Sequence, residues 1–311
     1  MKKPLHLSIG SFNIDLIVFI KSQSGDRFNI EKMLLGPGGS AVNYAVAAVI
    51  YGHRASLIAA SSSSKLALRN LNRIEKIGVE TKYVKMHRGK PGLSLIVINH
   101  RRDTKIYEFL GVNKELSRIE VDNEVFNNAN VLYIGSLKPG IAGKFVDQAY
   151  RKGILITYDP GSSANLSLDK LSKILSRINI LFINKDSFLE LTKGDVDKLF
   201  KYGVDKVVVR KGVGSAVLFE HGGIVATGYS KTVGRVRNII GSSDAFNAFF
   251  NSVYIDTGDP YKALQYALAA SVLKSNCTLN ILCYSRDELS KYLSQTFVEI
   301  VKEGSEVFLE E

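Results

Sequence analysis

Cysteine is scarce in this chain: two residues in 311, Cys277 and Cys283. Two cysteines supply no disulfide framework, and these lack the close spacing and the partners of a zinc site. The setting expected from this is a reducing, cytoplasmic one. Long hydrophobic runs are also missing. No stretch reaches the roughly 20 apolar residues that a membrane span needs, so no membrane partner is expected. The apolar run after the basic pair in MKKPLHLSIG is too short for a signal peptide and reads as a first strand. There is no internal repeat and no low-complexity segment. No strand exits into Gly-x-Gly-x-x-Gly with a downstream acidic residue, which disfavours a dinucleotide-binding oxidoreductase. Basic residues are in excess, with a formal charge of +11, and this suits anionic partners such as nucleotides or nucleic acid. They are scattered, however, and no basic face interleaved with aromatics emerges, so no nucleic-acid partner is expected.

What is present is the composition of a globular protein, 45% hydrophobic and 23% charged, long enough for one large α/β domain and a smaller appendage. Its organising stretch is GRVRNIIGSSDAFNAFF at 234–250. A turn holding Gly241, Ser242 and Ser243 leads to Asp244 and then into a helix-like apolar pattern. A Gly/Ser turn opening a helix aims several backbone N–H groups at one point, which with the helix dipole makes an anion site. Asp244 puts a carboxylate beside that anion. A hydroxyl awaiting phosphorylation is the natural group to lie between the two. Ser and Asp at a helix start are also ordinary caps.

Along the chain, 5–10 reads as a strand. The apolar run SFNIDLIVFI follows, with Asn13 and Asp15 at its start. Residues 21–29 read as a polar turn and 30–35 as a second short strand. GPGGSAVNYAVAAVIYG at 36–52 places Gly38 and Gly39 before a small-residue helix, with Asn43 in its first turn. Residues 54–61 read as a buried strand, the serine-led segment after them as a helix, and 79–87 as a short variable stretch. A hairpin is expected over 92–99 and 104–110 around HRRD. With 14–20 and 30–35 it would build a small antiparallel sheet set as a lid over a cleft.

From 129 the rhythm is βα. Strands are expected at 129–135, 154–161, 179–184 and 206–212, and a hairpin follows 212. Helices are expected at 139–152, 168–178, 185–202, 244–256, 260–276 and 286–295, with an edge element in the tail. Asp15, Asp159, Asn184 and Lys211 fall at or near strand ends, where a parallel sheet binds its ligands. The predicted fold is a three-layer α-β-α domain on a mostly parallel sheet, formed by 1–12, 36–90 and 112–311. The β lid is 13–35 and 91–111.

SFNID at 11–15, GGSAVN at 38–43, YDPG at 158–161, FINK at 182–185, VVVRKG at 207–212 and GSSDAFNAFF at 241–250 together resemble the ribokinase-like (PfkB) carbohydrate kinases, in their order and at about their spacing. The resemblance implies ATP-dependent transfer of a phosphoryl group to a hydroxyl of a small-molecule polyol: a sugar, sugar acid or nucleoside. It implies Asp244 as general base and the amides of Gly241, Ser242 and Ser243 as an anion hole. It places Asn13, Asp15, Gly38, Gly39 and Asn43 at the acceptor, and Asn184, Lys211, Gly212, Gly214 and Asn276 toward the nucleotide, whose adenine the helix at 260–276 would flank. Magnesium would be held mostly through phosphates and water near Asn184, Asp186 and Glu190. A homodimer through the lid is the expected assembly.

The chain also departs from the family pattern. Ser243 stands where the family has a glycine, so a positive φ there would cost about 1–2 kcal/mol. Asn238 and Ile240 replace the carboxylate and one of the oxygens by which some members hold a monovalent cation, which leaves that cofactor doubtful. Ser187 stands where a glutamate helps organise magnesium, and serines 61–64 replace a Gly-Asp segment. A fold that binds nucleotide or sugar without turnover is the alternative. Lys90, Arg101, Arg102 and Lys105 of the lid could meet a charged acceptor or be plain solvated charge.

Overall fold

Short β-branched runs bounded by glycine or polar residues form the strands of this protein, and the alanine-rich and amphipathic segments between them form helices. The structure is a computed structural model that describes residues 2–99, 101, 103–161 and 166–302. The strands are β1 (Leu5–Ile9), β2 (Asn13–Ser24), β3 (Arg27–Gly38), β4 (Arg54–Ser62), β5 (Glu80–His87), β6 (Gly92–Ile98), β7 (Thr104–Phe109), β8 (Val131–Gly135), β9 (Leu155–Asp159), β10 (Ile180–Asn184), β11 (Lys206–Arg210), β12 (Ser215–Glu220), β13 (Ile224–Ser230) and β14 (Thr296–Lys302). The helices are α1 (Ser40–Tyr51), α2 (Lys65–Ile77), α3 (Pro139–Tyr150), α4 (Leu168–Leu175), α5 (Lys185–Thr192), α6 (Asp197–Phe200), α7 (Ser242–Thr257), α8 (Pro260–Ser275) and α9 (Ser290–Leu293).

Ten strands make the main sheet in the order β14-β13-β12-β11-β10-β9-β8-β1-β4-β5. It is parallel from β11 to β5 and antiparallel from β11 to β14. Helices cover both faces. One apolar core lies under α1, α7 and α8 and another under α3, α4 and α5. This is the α/β architecture expected from the βα rhythm. Chain order reverses between β1 and β8, and a parallel sheet opens a crevice at the carboxyl ends beside such a reversal.

The second sheet runs β3-β2-β6-β7. It is not wholly antiparallel as expected, because β2 and β6 run parallel, Asn13 opposite Gly92. That pairing follows from β6 entering from the main body alongside β2. Residues 21–29 are not a turn either. β2 and β3 extend through them as a ribbon whose only turn is Gly25–Asp26, Gly25 having φ 55°. One face of this sheet packs Ile17, Phe19, Ile96 and Ile98 against Ile240 and Leu279, so it covers the crevice.

The segment 79–87 is the edge strand β5, paired to β4. The helix expected at 286–295 is a 3-10 turn, Arg286–Leu289, followed by the single turn α9. The tail pairs as edge strand β14 as far as Lys302. His100 and Arg102 of the lid turn, and the tail past 302, lie outside the described residues. Cys277 and Cys283, from which no disulfide framework was expected, are joined as a disulfide that closes the loop after α8. The turn at the helix end brings together two thiols that six positions of sequence do not reveal.

Candidate active site

Gly241 is the N-cap of α7, with a φ of 83° that only glycine adopts at no cost. A Cβ there would come within 2.0 Å of the Asn280 carbonyl oxygen. The next three residues are already helical, so Ser243 carries no positive φ and the strain anticipated for it does not arise. Ser242 does depart from expectation: its amide donates to the Ile239 carbonyl at 3.0 Å, and Ser242 is not among the residues lining the cavity. The amides left to face an anion at this helix start are those of Gly241, Ser243 and Asp244.

Asp244 is buried in the first turn of α7. Ser40 Oγ donates to its Oδ1, Asn43 Nδ2 donates to its Oδ2 at 2.9 Å, and Tyr133 OH lies 3.3 Å from Oδ1. Burial raises its pKa; the Ser40 and Asn43 bonds pull it down, the Asp159 charge raises it and Arg210 lowers it. Below it runs a buried network. Arg210 Nη1 donates to Asp159 Oδ2 at 2.6 Å and to Asn247 Oδ1 at 2.8 Å. Asn247 Nδ2 in turn donates to Asp159 Oδ2 at 2.8 Å and lies 3.3 Å from Tyr133 OH. Arg210 therefore neutralises Asp159 and leaves Asp244 as the carboxylate that points up into the cleft.

On the lid side, Asp15 of β2 is buried, and burial lifts its carboxyl to about 6 even though Asn280 and Ser94 pull it down. Asn280 Nδ2 donates to Asp15 Oδ2. Asn13 is fixed by Asn113 at 2.6 Å and donates to Ser94 at 3.0 Å. Gly38 has no side chain because a Cβ would sit 1.7 Å from Asp15 Oδ2, and at Gly39, with φ 95°, a Cβ would strike the Ser11 carbonyl at 2.2 Å. Among the described residues, Asp15 Oδ1 and Asn43 Oδ1 are buried with no hydrogen-bond partner. Two orphaned acceptors beside a buried carboxylate suit a ligand with several hydroxyls.

These groups line one cavity of about 380 Å³. Of the residues singled out in the sequence it gathers Asn13, Asp15, Gly39, Asn43, Asp159, Asn184, Gly241, Ser243 and Asp244. Gly38 lies directly beneath Asp15. Lys211, Gly212, Gly214 and Asn276 are not in its walls. They lie where the β11–β12 turn meets the end of α8: a Cβ on Gly214 would reach Val272 at 3.0 Å, and Asn276 bonds to the Val272 carbonyl at 2.9 Å. Asn184 caps α5, accepting from the Ser187 amide at 2.8 Å, while Asp186 and Glu190 are exposed on that helix. Among the described residues no cluster of three or more acidic, histidine or cysteine side chains could hold a metal. A magnesium ion here would have to be held mostly by phosphate oxygens and water, with Asn184 and, through water, Asp186 or Glu190 as the residues at hand.

The sequence reading missed Arg210, Tyr133, Asn247 and Glu108 as parts of the site. It also missed Ser136, a non-glycine residue at φ 55° in the cavity wall. One signal was available: Asp244, Asn247 and Asn251 recur at helical spacing on a helix that is otherwise apolar on that side.

A profile of pfkB family carbohydrate kinases matches residues 3–285. The chain belongs to this family. An ATP-dependent ribose-1-phosphate kinase of Halopiger xanaduensis is 24% identical over 296 residues, 94% of this chain and 98% of that protein. A 2-dehydro-3-deoxygluconokinase of Thermoproteus tenax is 24% identical over 255 residues, 76% of this chain and 78% of that one. Among solved structures, Arabidopsis thaliana ribokinase complexed with ribose and ATP superposes with a TM-score of 0.82 at 20% identity, covering 94% of this chain and 99% of that chain. At such identity the superposition establishes the shared pfkB fold, α/β body and accessory sheet alike. Among the described residues no helix is long and apolar enough to cross a membrane.

Proposed function

We propose that this chain transfers the γ-phosphoryl group of ATP to a hydroxyl of a small polyol, a sugar, sugar acid or nucleoside, with Asp244 as general base. The observation that carries this reading is the position of Asp244: a buried carboxylate at the N-terminus of α7, within one cavity that also holds the orphaned acceptors of Asp15 and Asn43.

Asp15 Oδ1 and Asn43 Oδ1 accept hydrogen bonds from two acceptor hydroxyls and hold a third toward Asp244. The proton of that hydroxyl passes to the Asp244 carboxylate as the acceptor oxygen bonds to the γ-phosphorus. The bond from phosphorus to the β–γ bridging oxygen breaks, and ADP leaves. The raised pKa of Asp244 makes it a better proton acceptor than an exposed aspartate. Ser40, Asn43 and Tyr133 fix the orientation of the carboxylate. The amides of Gly241, Ser243 and Asp244 face the charge on the transferred group. Magnesium on the nucleotide, near Asn184, would neutralise phosphate charge. Lys211, Gly212 and Gly214 would form the turn beneath the nucleotide, with Asn276 at the end of the helix beside its base. The outer lid face exposes Ile30, Met33 and Tyr107 at 55%, 61% and 57%, and a second copy of the chain is the partner we assign to it.

ADP release from Mg-ATP, measured against a panel of sugars, sugar acids, sugar phosphates and nucleosides, tests this reading. Turnover on one acceptor, lost in Asp244→Asn, supports it. The absence of both ATP binding and acceptor binding would sink it.

A further inference from the structure

Lys274, in the last turn of α8, has no solvent exposure. Burying an ammonium group costs several kcal/mol unless it is paired or put to use, and among the described residues Lys274 makes no ion pair. Its Nζ donates to the backbone carbonyl of Asn238 at 3.0 Å. Asn238 belongs to the segment that leads directly into Gly241 and the start of α7. The same segment is tied to the end of α8 by the amides of Arg237 and Asn238, both donating to the Ser275 carbonyl at 2.8 and 3.1 Å. The Asn238 side chain bonds to the Thr278 carbonyl at 3.0 Å and to Asn280 Oδ1 at 2.7 Å, and it receives the Ile240 amide at 2.9 Å.

At position 238 the family resemblance implies, for some members, a carboxylate that helps hold a monovalent cation. Here Lys274 Nζ takes the Asn238 carbonyl and the Asn238 amide donates to the Thr278 carbonyl and to Asn280 Oδ1, so while the lysine is in place the residues leave no room for a monovalent cation. Positive charge is still present at the same place, on a lysine. The charged group that faces it from the helix packed alongside is Asp244 of α7. Burial lowers the Lys274 pKa to about 7, against the pull of that carboxylate.

We propose that the Lys274 ammonium is a built-in replacement for a monovalent cation: it pins the segment Asn238–Gly241 and places positive charge behind the anion-binding start of α7, held most fully when an anion is bound there. Lys274 is a positioning residue, acting through the loop rather than on the substrate. The proposal rests on the reading of this helix start as a phosphate-binding site. A phosphorylation assay alone would confuse the two claims, so the test uses a simple anion.

Binding of inorganic tripolyphosphate is measured by calorimetry on the whole chain in tetramethylammonium, potassium and ammonium chloride. The wild type should bind equally in all three salts. Lys274→Met should bind at least about tenfold more weakly in tetramethylammonium and recover in potassium or ammonium, which can enter the vacated volume. Lys274→Gln, which keeps a donor but no charge, should show the same loss, and it decides the matter if the methionine variant fails to fold. Potassium activation of the wild type would overturn the proposal. So would unchanged binding in both variants, a loss that ammonium does not restore, or no tripolyphosphate binding by the wild type. Cation-independent binding without turnover on any acceptor would leave Lys274 in its role and sink the kinase reading instead.

Discussion

Gly38→Ala is the smallest change that separates acceptor binding from the rest of the site. Gly38 has an ordinary φ, so the backbone accepts alanine. The added methyl would lie 1.7 Å from Asp15 Oδ2 and 2.1 Å from Asp15 Cγ, about half of a normal contact. Asp15 must therefore swing away, giving up its bond from Asn280 and its aim at the acceptor. A hydrogen bond to a charged group contributes about 1.5–3 kcal/mol. The acceptor KM should accordingly rise by about tenfold to about 150-fold, while the ATP KM stays within about twofold because the start of α7 is untouched. Steady-state kinetics on the best acceptor, varying each substrate in turn, reads both values. An acceptor KM within twofold of wild type would refute the reasoning, because Asp15 would then have no part in holding the acceptor. Equal losses on both substrates would refute it too, since they would mean a general collapse of the cleft.

Asp244→Asn keeps the shape of the carboxylate but cannot take a proton, so kcat should fall by about 10²–10⁴ with acceptor KM little changed, as initial rates will show. Asp15 titrates at about 6; below that pH it is a neutral carboxyl, and above it a better acceptor of hydrogen bonds. Acceptor affinity measured by calorimetry should therefore rise as pH passes from about 5 to about 7. The rise should disappear in Asp15→Asn. Met33→Glu places a charge on the outer lid face and should turn a dimer into a monomer in sedimentation velocity; a wild type that already sediments as a monomer would remove the lid dimer from consideration.

The main sheet was legible because its strands are fully buried apolar runs separated by about a dozen residues of helix. β5 was not, since Glu80, Lys82 and Lys85 interrupt Tyr83, Val84 and Met86 without a period-two pattern and only Val84 is buried, as befits an edge strand with one side in water. The β2–β3 ribbon was read as a turn because residues 21–29 are exposed on both faces and carry no period-two signal. Asp244, Asp15 and the glycines were visible because turn chemistry and isolated polar residues in apolar runs stand out locally. The Arg210–Asp159–Asn247–Tyr133 network was not, because it is made by three strands and a helix far apart in the chain, and only tertiary structure brings them into contact. The disulfide was hidden for a related reason: its loop is closed by the direction in which α8 ends.

Asn280 sits in that loop, between Cys277 and Cys283, and its side chain reaches Asp15 on the lid and Asn238 beside α7 at once. Its backbone carbonyl also crowds Gly241. The seat for the acceptor and the seat for the phosphate thus share one keystone, mounted on a covalently closed arch that belongs to neither. Seating one ligand trims the freedom of the other's contacts, so the two should bind synergistically, each raising the affinity of the other by the same factor. Asn280→Ala would leave both seats standing but make them strangers: each ligand would still bind, and the synergy between them would be gone.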